Sequence, residues 1–288
     1  MSWRTDLALE AAETLEEVLS PEDFEKECGG NGGVTTTRIR IKSGRAAEQI
    51  GKPPGTYVTV EVPPLTDNDE QLERYAQTVA EELTALLPEE GAVLVVGLGN
   101  AAVTPDALGP ETADMVLATR HIEGEFARSA GLTGLRAAAV MVPGVLGQTG
   151  IESGDMIRGV CGAVQPAAVI VVDALAARSL SRLGCTVQLC DTGIAPGSGV
   201  GNNRRPVSPA SLGVPVIGMG VPTVVDAAVI ANELTGAGET ESPAAGMMVT
   251  PREVDLLIAR ASRLTAMAIN AALQPDYSPL ELIAVARS

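Results

Sequence analysis

The chain has 288 residues, enough for one large α/β domain or two small ones, and it is 45% hydrophobic but only 2% aromatic, so Ala, Val, Leu and Ile must build its core. A formal net charge of −16 argues against nucleic acid and anionic membranes as partners, since both are gripped through Lys and Arg. Four scattered cysteines without a CxxC pair, and His121 as the single histidine, argue against a zinc or iron–sulfur site and leave free thiols as the default.

The N-terminus is acidic, unlike a signal peptide. No uninterrupted apolar stretch is long enough to cross a membrane. A cytoplasmic protein is the expectation. Residues 1–27 carry nine acids against Arg4 and Lys26 and read as an acidic helix or a loosely held arm. "GGNGG" (Gly29–Gly33) reads as a flexible break. "TTTRIRIK" (Thr35–Lys42) alternates charge with Ile, as a strand with one wet face does, and "TYVTVEV" (Thr56–Val62) is a second strand, ended by Pro63-Pro64. Residues 30–66 therefore form a small β-rich segment. Asp67–Leu87 has the pattern of a capped amphipathic helix.

From residue 92 the pattern changes. Five apolar strands follow, at "AVLVVGLG", "AAAVMVPG" (Ala137–Gly144), "AAVIVVDAL" (Ala167–Leu175), "CTVQLCD" (Cys185–Asp191) and "VPVIGMGVP" (Val214–Pro222). Helices are expected after Asp106, over 149–163, over 222–235 and from Pro251 to Leu273. Alternating strands and helices predict an α/β fold with a doubly wound, mostly parallel sheet, helices on both faces and N-terminal β-strand additions. The long Gly/Pro/Ser-rich loop Thr192–Gly213 leaves a strand end, and loops of that length are usually functional or disordered.

"GLGNAA" (Gly97–Ala102) fits the dinucleotide fingerprint in form. The context is poor, because Pro105 delays the helix and Asp106 brings negative charge to where phosphate would sit. Asp106 alone reads equally well as a helix cap. Asp173, directly after four apolar strand residues, lies at the carboxyl end of a strand, the edge where open α/β sheets bind ligands, and Asp106 lies on the same edge. If the two converged, one protonated and one ionised, they could activate water and protonate a leaving amine. Asp191 and Asp226 also lie near strand ends, so the choice of pair stays open.

"VVGLGN", "VTPDALGP", "VMVPGVLGQTGIES", "IVVDALAAR", "DTGIAPGSGVGNNR", "GMGVPTVVDA" and "VTPREVD", in this order along nearly the whole chain, resemble the germination protease family of endospore-forming bacteria. The resemblance implies a fold similar to the hydrogenase-maturation endopeptidases and an atypical aspartic endopeptidase with Asp106 and Asp173 as the catalytic pair. It implies no metal and no other cofactor. The implied substrates are small acid-soluble spore proteins, which coat DNA in the dormant spore, so the location would be the forespore or spore core. It also implies a zymogen and a homotetramer. One departure is Ala101-Ala102, where the family often has Trp-Asn.

"TDLALE" (Thr5–Glu10) resembles the Thr-Glu-Phe/Ile-Ala-Ser-Glu segment at which the family's substrates are cut. By that resemblance the chain processes itself between Asp6 and Leu7, with residues 1–6 as propeptide and 7–288 as a single peptidase domain. The arm would then lie over the site and block it. The other reading is an ordinary helix start capped by Thr5. Preference for acidic substrate residues needs positive groups, for which Arg178, Arg204 and Arg205 are candidates. The rival functions are a metal-assisted maturation peptidase of the same fold and a non-catalytic nucleotide-binding protein.

Overall fold

The computed structural model describes residues 6–12, 20–31, 33–67, 70–122, 133–197, 205–235 and 246–287. Their strands form one nine-stranded sheet. These are β1 (Phe24–Asn31), β2 (Val34–Ile41), β3 (Gly55–Glu61), β4 (Val93–Gly97), β5 (Ala138–Met141), β6 (Ala168–Ala177), β7 (Thr186–Cys190), β8 (Val216–Asp226) and β9 (Met248–Val249). The order across the sheet is β1-β2-β3-β7-β8-β6-β4-β5, with β9 paired to β8. The described helices are α1 (Ala8–Ala12), α2 (Gly44–Ile50), α3 (Leu72–Leu86), α4 (Leu108–Ala113), α5 (Leu146–Thr149), α6 (Ser153–Val164), α7 (Pro209–Leu212), α8 (Ala227–Thr235), α9 (Val254–Leu273) and α10 (Pro279–Ala286).

The core of the sheet is parallel, with β4 beside β5 and β6, and β6 beside β8. Its strands are apolar on both faces, as strands covered twice must be. Val93, Val95, Ile170 and Val172 face a layer containing α3 and α9, while Leu94, Val96, Val169 and Val171 face Ile157 and Cys161 of α6. This is the expected doubly wound α/β arrangement.

Three expectations are corrected. The strand "CTVQLCD" belongs to the sheet, but as β7 it runs antiparallel to β8 and β3. A parallel return needs a crossover of a dozen residues or more, and the short link after β6, with its single turn at Leu180–Arg182, is too brief to supply one. The sheet is therefore mixed, and β3, β2 and β1 extend its antiparallel side. The "GGNGG" break is largely strand: Gly29 and Gly30 pair with Thr36 and Thr35, and Gly33 turns the chain at φ 88°. Residues 20–27 do not continue an acidic helix, since β1 begins at Phe24; the described helix of the arm is α1, and 13–19 lie outside the described residues. A further point concerns α9, which is long and apolar enough to cross a membrane by length and composition. Its Leu257, Leu264, Ala268 and Ile269 are instead buried in the main core.

Candidate active site

The loop after β4 is built around glycines. Gly99 sits at φ 116°, a conformation side chains avoid, and a Cβ there would run into the Asp106 carbonyl oxygen. That close approach lets the Asn100 N–H donate both to the Asp106 carbonyl (3.1 Å) and to Asp106 Oδ2 (2.8 Å). The Thr223 hydroxyl of β8 ties the turn down by donating to the Pro105 carbonyl at 2.7 Å. Asp106 is thus bent back over the end of β4. The helix that follows, α4, has no side-chain cap, so the capping role expected of Asp106 is not what holds it. The same helix is six residues long and starts well after Gly99, so the Gly97–Ala102 loop lacks the helix terminus that a dinucleotide site needs. Gly109 has a packing reason, since a Cβ there would meet the Leu98 backbone and the Val172 carbonyl.

Asp173 lies in β6, 6% exposed, and its Oδ1 accepts from the Ala174 N–H at 3.0 Å. Across the sheet it pairs with Gly220 of β8, which in turn pairs with Gln188 of β7. Paired residues point to the same face, so Asp173 and Gln188 flank the glycine on one face of the sheet. A Cβ at Gly220 would strike the Asp173 carbonyl and the Leu175 side chain.

Asp106 and Asp173 both line a cavity of about 1080 Å³ at the carboxyl edge of the parallel strands. Asp191 lines it as well, but its Oδ1 accepts the Thr56 N–H at 2.8 Å and so secures the start of β3. Asp226 caps α8 through the Ala228 N–H (2.8 Å) and reaches the Gly246 N–H (3.2 Å); it is not among the cavity residues. Cys190 is on the cavity wall, where burial pushes its thiol above the ordinary range.

The N-terminal arm reaches the same cavity, which Asp6 lines. Asp6 docks on the end of β6: its N–H donates to the Ala176 carbonyl (3.1 Å), and its Oδ2 accepts the Ala176 N–H (2.9 Å). Ala176 is three residues beyond Asp173, roughly 10 Å of extended chain. Lys52 Nζ donates to the Asp6 carbonyl at 3.1 Å, and the Ala8 N–H donates to Gln188 Oε1 at 3.2 Å. Leu7 is fully buried against Leu175 and Ala177. Glu10, 1% exposed, accepts the backbone N–H groups of Arg178 (2.8 Å) and Ser179 (3.0 Å), with Arg182 Nε 3.9 Å away.

Of the arginines singled out by sequence, Arg178 serves this arm, donating from Nη2 to the Glu10 carbonyl at 3.0 Å. Arg205 is exposed, 3.8 Å from Asp155, and does not line the cavity. Arg204 lies outside the described residues. His121 is exposed, and no group of three His, Cys, Asp or Glu side chains among the described residues is arranged to hold a metal ion. Sequence reasoning missed Lys52, Gln188, Gly220 and Thr223. The only signal for any of them was the run of glycines in "IGMGVPT" (Ile217–Thr223).

A cleft at the carboxyl edge of parallel strands, walled by acids and already holding a peptide segment of the same chain, is built like the site of a peptidase. The model of the germination protease family matches residues 6–236. The chain is 41% identical to the germination protease of Caldanaerobacter subterraneus subsp. tengcongensis, covering 97% of this chain and 96% of that one. It is 38% identical to the germination protease of Clostridium acetobutylicum, with 98% of each covered. Against the Bacillus mycoides germination protease it is 44% identical over 81% of this chain and 65% of the relative. The chain belongs to the germination protease family and is a peptidase. Among solved structures, a NiFe hydrogenase maturation protease, HycI from Thermococcus kodakarensis, covers 67% of this chain and 99% of its own, at 19% identity and a TM-score of 0.40.

Proposed function

We propose that the chain is an aspartic-type endopeptidase of the spore core that begins the breakdown of small acid-soluble spore proteins. It is made as a zymogen that cuts itself between Asp6 and Leu7. The observation that carries this reading is that Asp106, Asp173 and Asp6 line one cavity. In the reaction, one carboxylate of the pair is ionised and takes a proton from water. The water oxygen bonds to the carbonyl carbon of the scissile peptide. The partner, holding its proton, delivers it to the leaving amine as the C–N bond breaks. The two acids act as a pair and share their protons. The acidic arm, already seated at the site, accounts for the silent precursor: the segment occupies the place a substrate needs.

The substrate assignment is supported by the family and by the likeness of Thr5–Glu10 to the sites cut in spore proteins. The assembly, a homotetramer, is proposed on the same resemblance, and the reaction uses side chains without a metal. The test is intact mass over time at several pH values for wild type beside Asp106→Asn and Asp173→Asn. Wild type is expected to lose residues 1–6, at a rate indifferent to a chelator, while both variants stay whole or slow by at least 10³-fold. Variants that clip as fast as wild type would make the pair structural. Loss of activity with the chelator would favour metal-assisted hydrolysis.

A further inference from the structure

We infer that Lys52 is a catalytic residue of this peptidase: its ammonium polarises the carbonyl of the bond to be cut and holds the oxyanion formed there. The inference rests on the proposed cut at Asp6–Leu7. The oxygen that Lys52 Nζ reaches, at 3.1 Å, is the Asp6 carbonyl oxygen, which belongs to that bond.

The peptide around the bond is fixed on both sides. Before it, the Asp6 N–H and carboxylate are bound to the backbone of Ala176. Beyond it, Leu7 is wholly buried and the Ala8 N–H is held by Gln188. These contacts position the chain. None of them touches the atoms that change bonding, whereas Lys52 does.

Lys52 is placed by its own local structure. Helix α2 starts at Ser43, whose hydroxyl accepts the Ala46 N–H at 3.2 Å, and ends at Gly51 in the left-handed region, φ 74°. The Lys52 N–H closes the turn on the Ala47 carbonyl at 3.2 Å, and Pro53-Pro54 stiffen the chain that follows. The lysine therefore leaves a rigid corner in the wall of the cavity that Asp106 and Asp173 also line.

The chemistry balances with Lys52 unchanged. Water gives a proton to the ionised carboxylate, and its oxygen bonds to the Asp6 carbonyl carbon. The π pair of that carbonyl moves onto oxygen, where an N–H of the ammonium holds it. When the pair returns, the C–N bond breaks and the Leu7 nitrogen takes a proton from a carboxyl group. A fixed cation aimed at developing oxyanion charge stabilises the transition state more than the ground state, and one such donor is worth roughly 10²–10³ in rate.

The experiment is self-processing of the full chain, followed by intact mass, for wild type, Lys52→Met, Lys52→Gln, Lys52→Arg and Asp173→Asn. Hydrogen exchange at residues 6–10 reports in parallel whether the arm stays docked. Lys52→Met is expected to slow the cut roughly 10²–10³-fold with amide protection of the arm retained. Lys52→Gln, a neutral donor, is expected to fall between Lys52→Met and Lys52→Arg, the last staying within tenfold of wild type. Processing of Lys52→Met and Lys52→Gln within threefold of wild type, while Asp173→Asn is dead, overturns the inference and leaves the aspartic reading intact. Slow cutting accompanied by lost protection overturns it too, because Lys52 would then only pin the arm. A wild-type chain that never shortens at Asp6–Leu7 overturns the processing reading itself.

Discussion

The two halves of the sheet divide the work. The parallel half, β5-β4-β6-β8, is dry: every residue of β4 is buried, and β6 admits one charged side chain, Asp173. The antiparallel half keeps a wet face along β2 and supplies polar groups that touch the arm, Gln188 from β7 and Lys52 from the corner after α2. A parallel strand buried on both faces has little room for polar groups, and the two acids of this half, one within β6 and one on the loop after β4, both line the cavity. An antiparallel strand can offer a polar residue along its length, and this half is suited to gripping peptide. The handling of chain is shared: Lys52 and Gln188 touch the arm from the antiparallel half, while β6 holds Asp6 through Ala176 and packs on Leu7.

The sharpest way to break the division is to disturb the acid-bearing edge without altering an acid. Gly99→Val places a branched side chain at φ 116° and against the Asp106 carbonyl. The strain is about 1–3 kcal/mol, and the chain relieves it by moving Asp106. Misplacing a reacting group by an ångström costs on the order of 10²-fold. Self-processing measured by intact mass should fall at least that far, while circular dichroism reports a folded chain. Unchanged processing would show that Asp106 need not be held over β4.

A smaller effect is expected from the gripping half's border with β6. Glu10→Gln removes the charge from a carboxylate that two backbone N–H groups and Arg182 surround. Hydrogen bonds to charged groups contribute about 1.5–3 kcal/mol, so the arm should undock part of the time. Faster exchange at Leu7–Glu10 and processing slowed roughly tenfold are the expected readings. Protection equal to wild type would mean that burial of Leu7, Ala8 and Leu9 alone secures the arm.

Much of the parallel half was legible because its signals are local. An apolar run ended by Gly marks a strand end at Gly97, but the run before Asp173 does not, since β6 continues to Ala177. Asp106 and Asp173 line one cavity all the same, and the family motifs singled out the same two residues. The antiparallel half was not legible in the same way. Nothing in "CTVQLCD" says which way β7 runs, because direction is set by the length of the link before it and by which strand has a free edge. Gln188 and Lys52 gain their meaning from the arm lying against them, a contact between residues 180 and 46 positions apart. Asp191 lines the same cavity as the pair, while Asp226 is not among the cavity residues and holds the start of α8.

The smallest expected effect concerns pH. Burial raises the Cys190 thiol and the Tyr57 phenol above their ordinary values, and both groups belong to the antiparallel half. The folded chain therefore keeps these protons after the unfolded chain has released them. Their contribution is complete below the unfolded values, about 8.5 for a thiol and about 10 for a phenol, and is lost as pH rises beyond them. The urea midpoint should decline between pH 8 and pH 11. Cys190→Ser should flatten the first part of that decline and Tyr57→Phe the second, although the latter also gives up the 2.7 Å bond to the Pro53 carbonyl and starts from a lower midpoint. A decline unchanged in the double variant would place the alkaline-labile groups elsewhere, at Cys161 of α6 or at Cys185, whose thiols burial also raises. The division of the sheet into a dry half and a titratable, peptide-gripping half would then hold for function but not for stability.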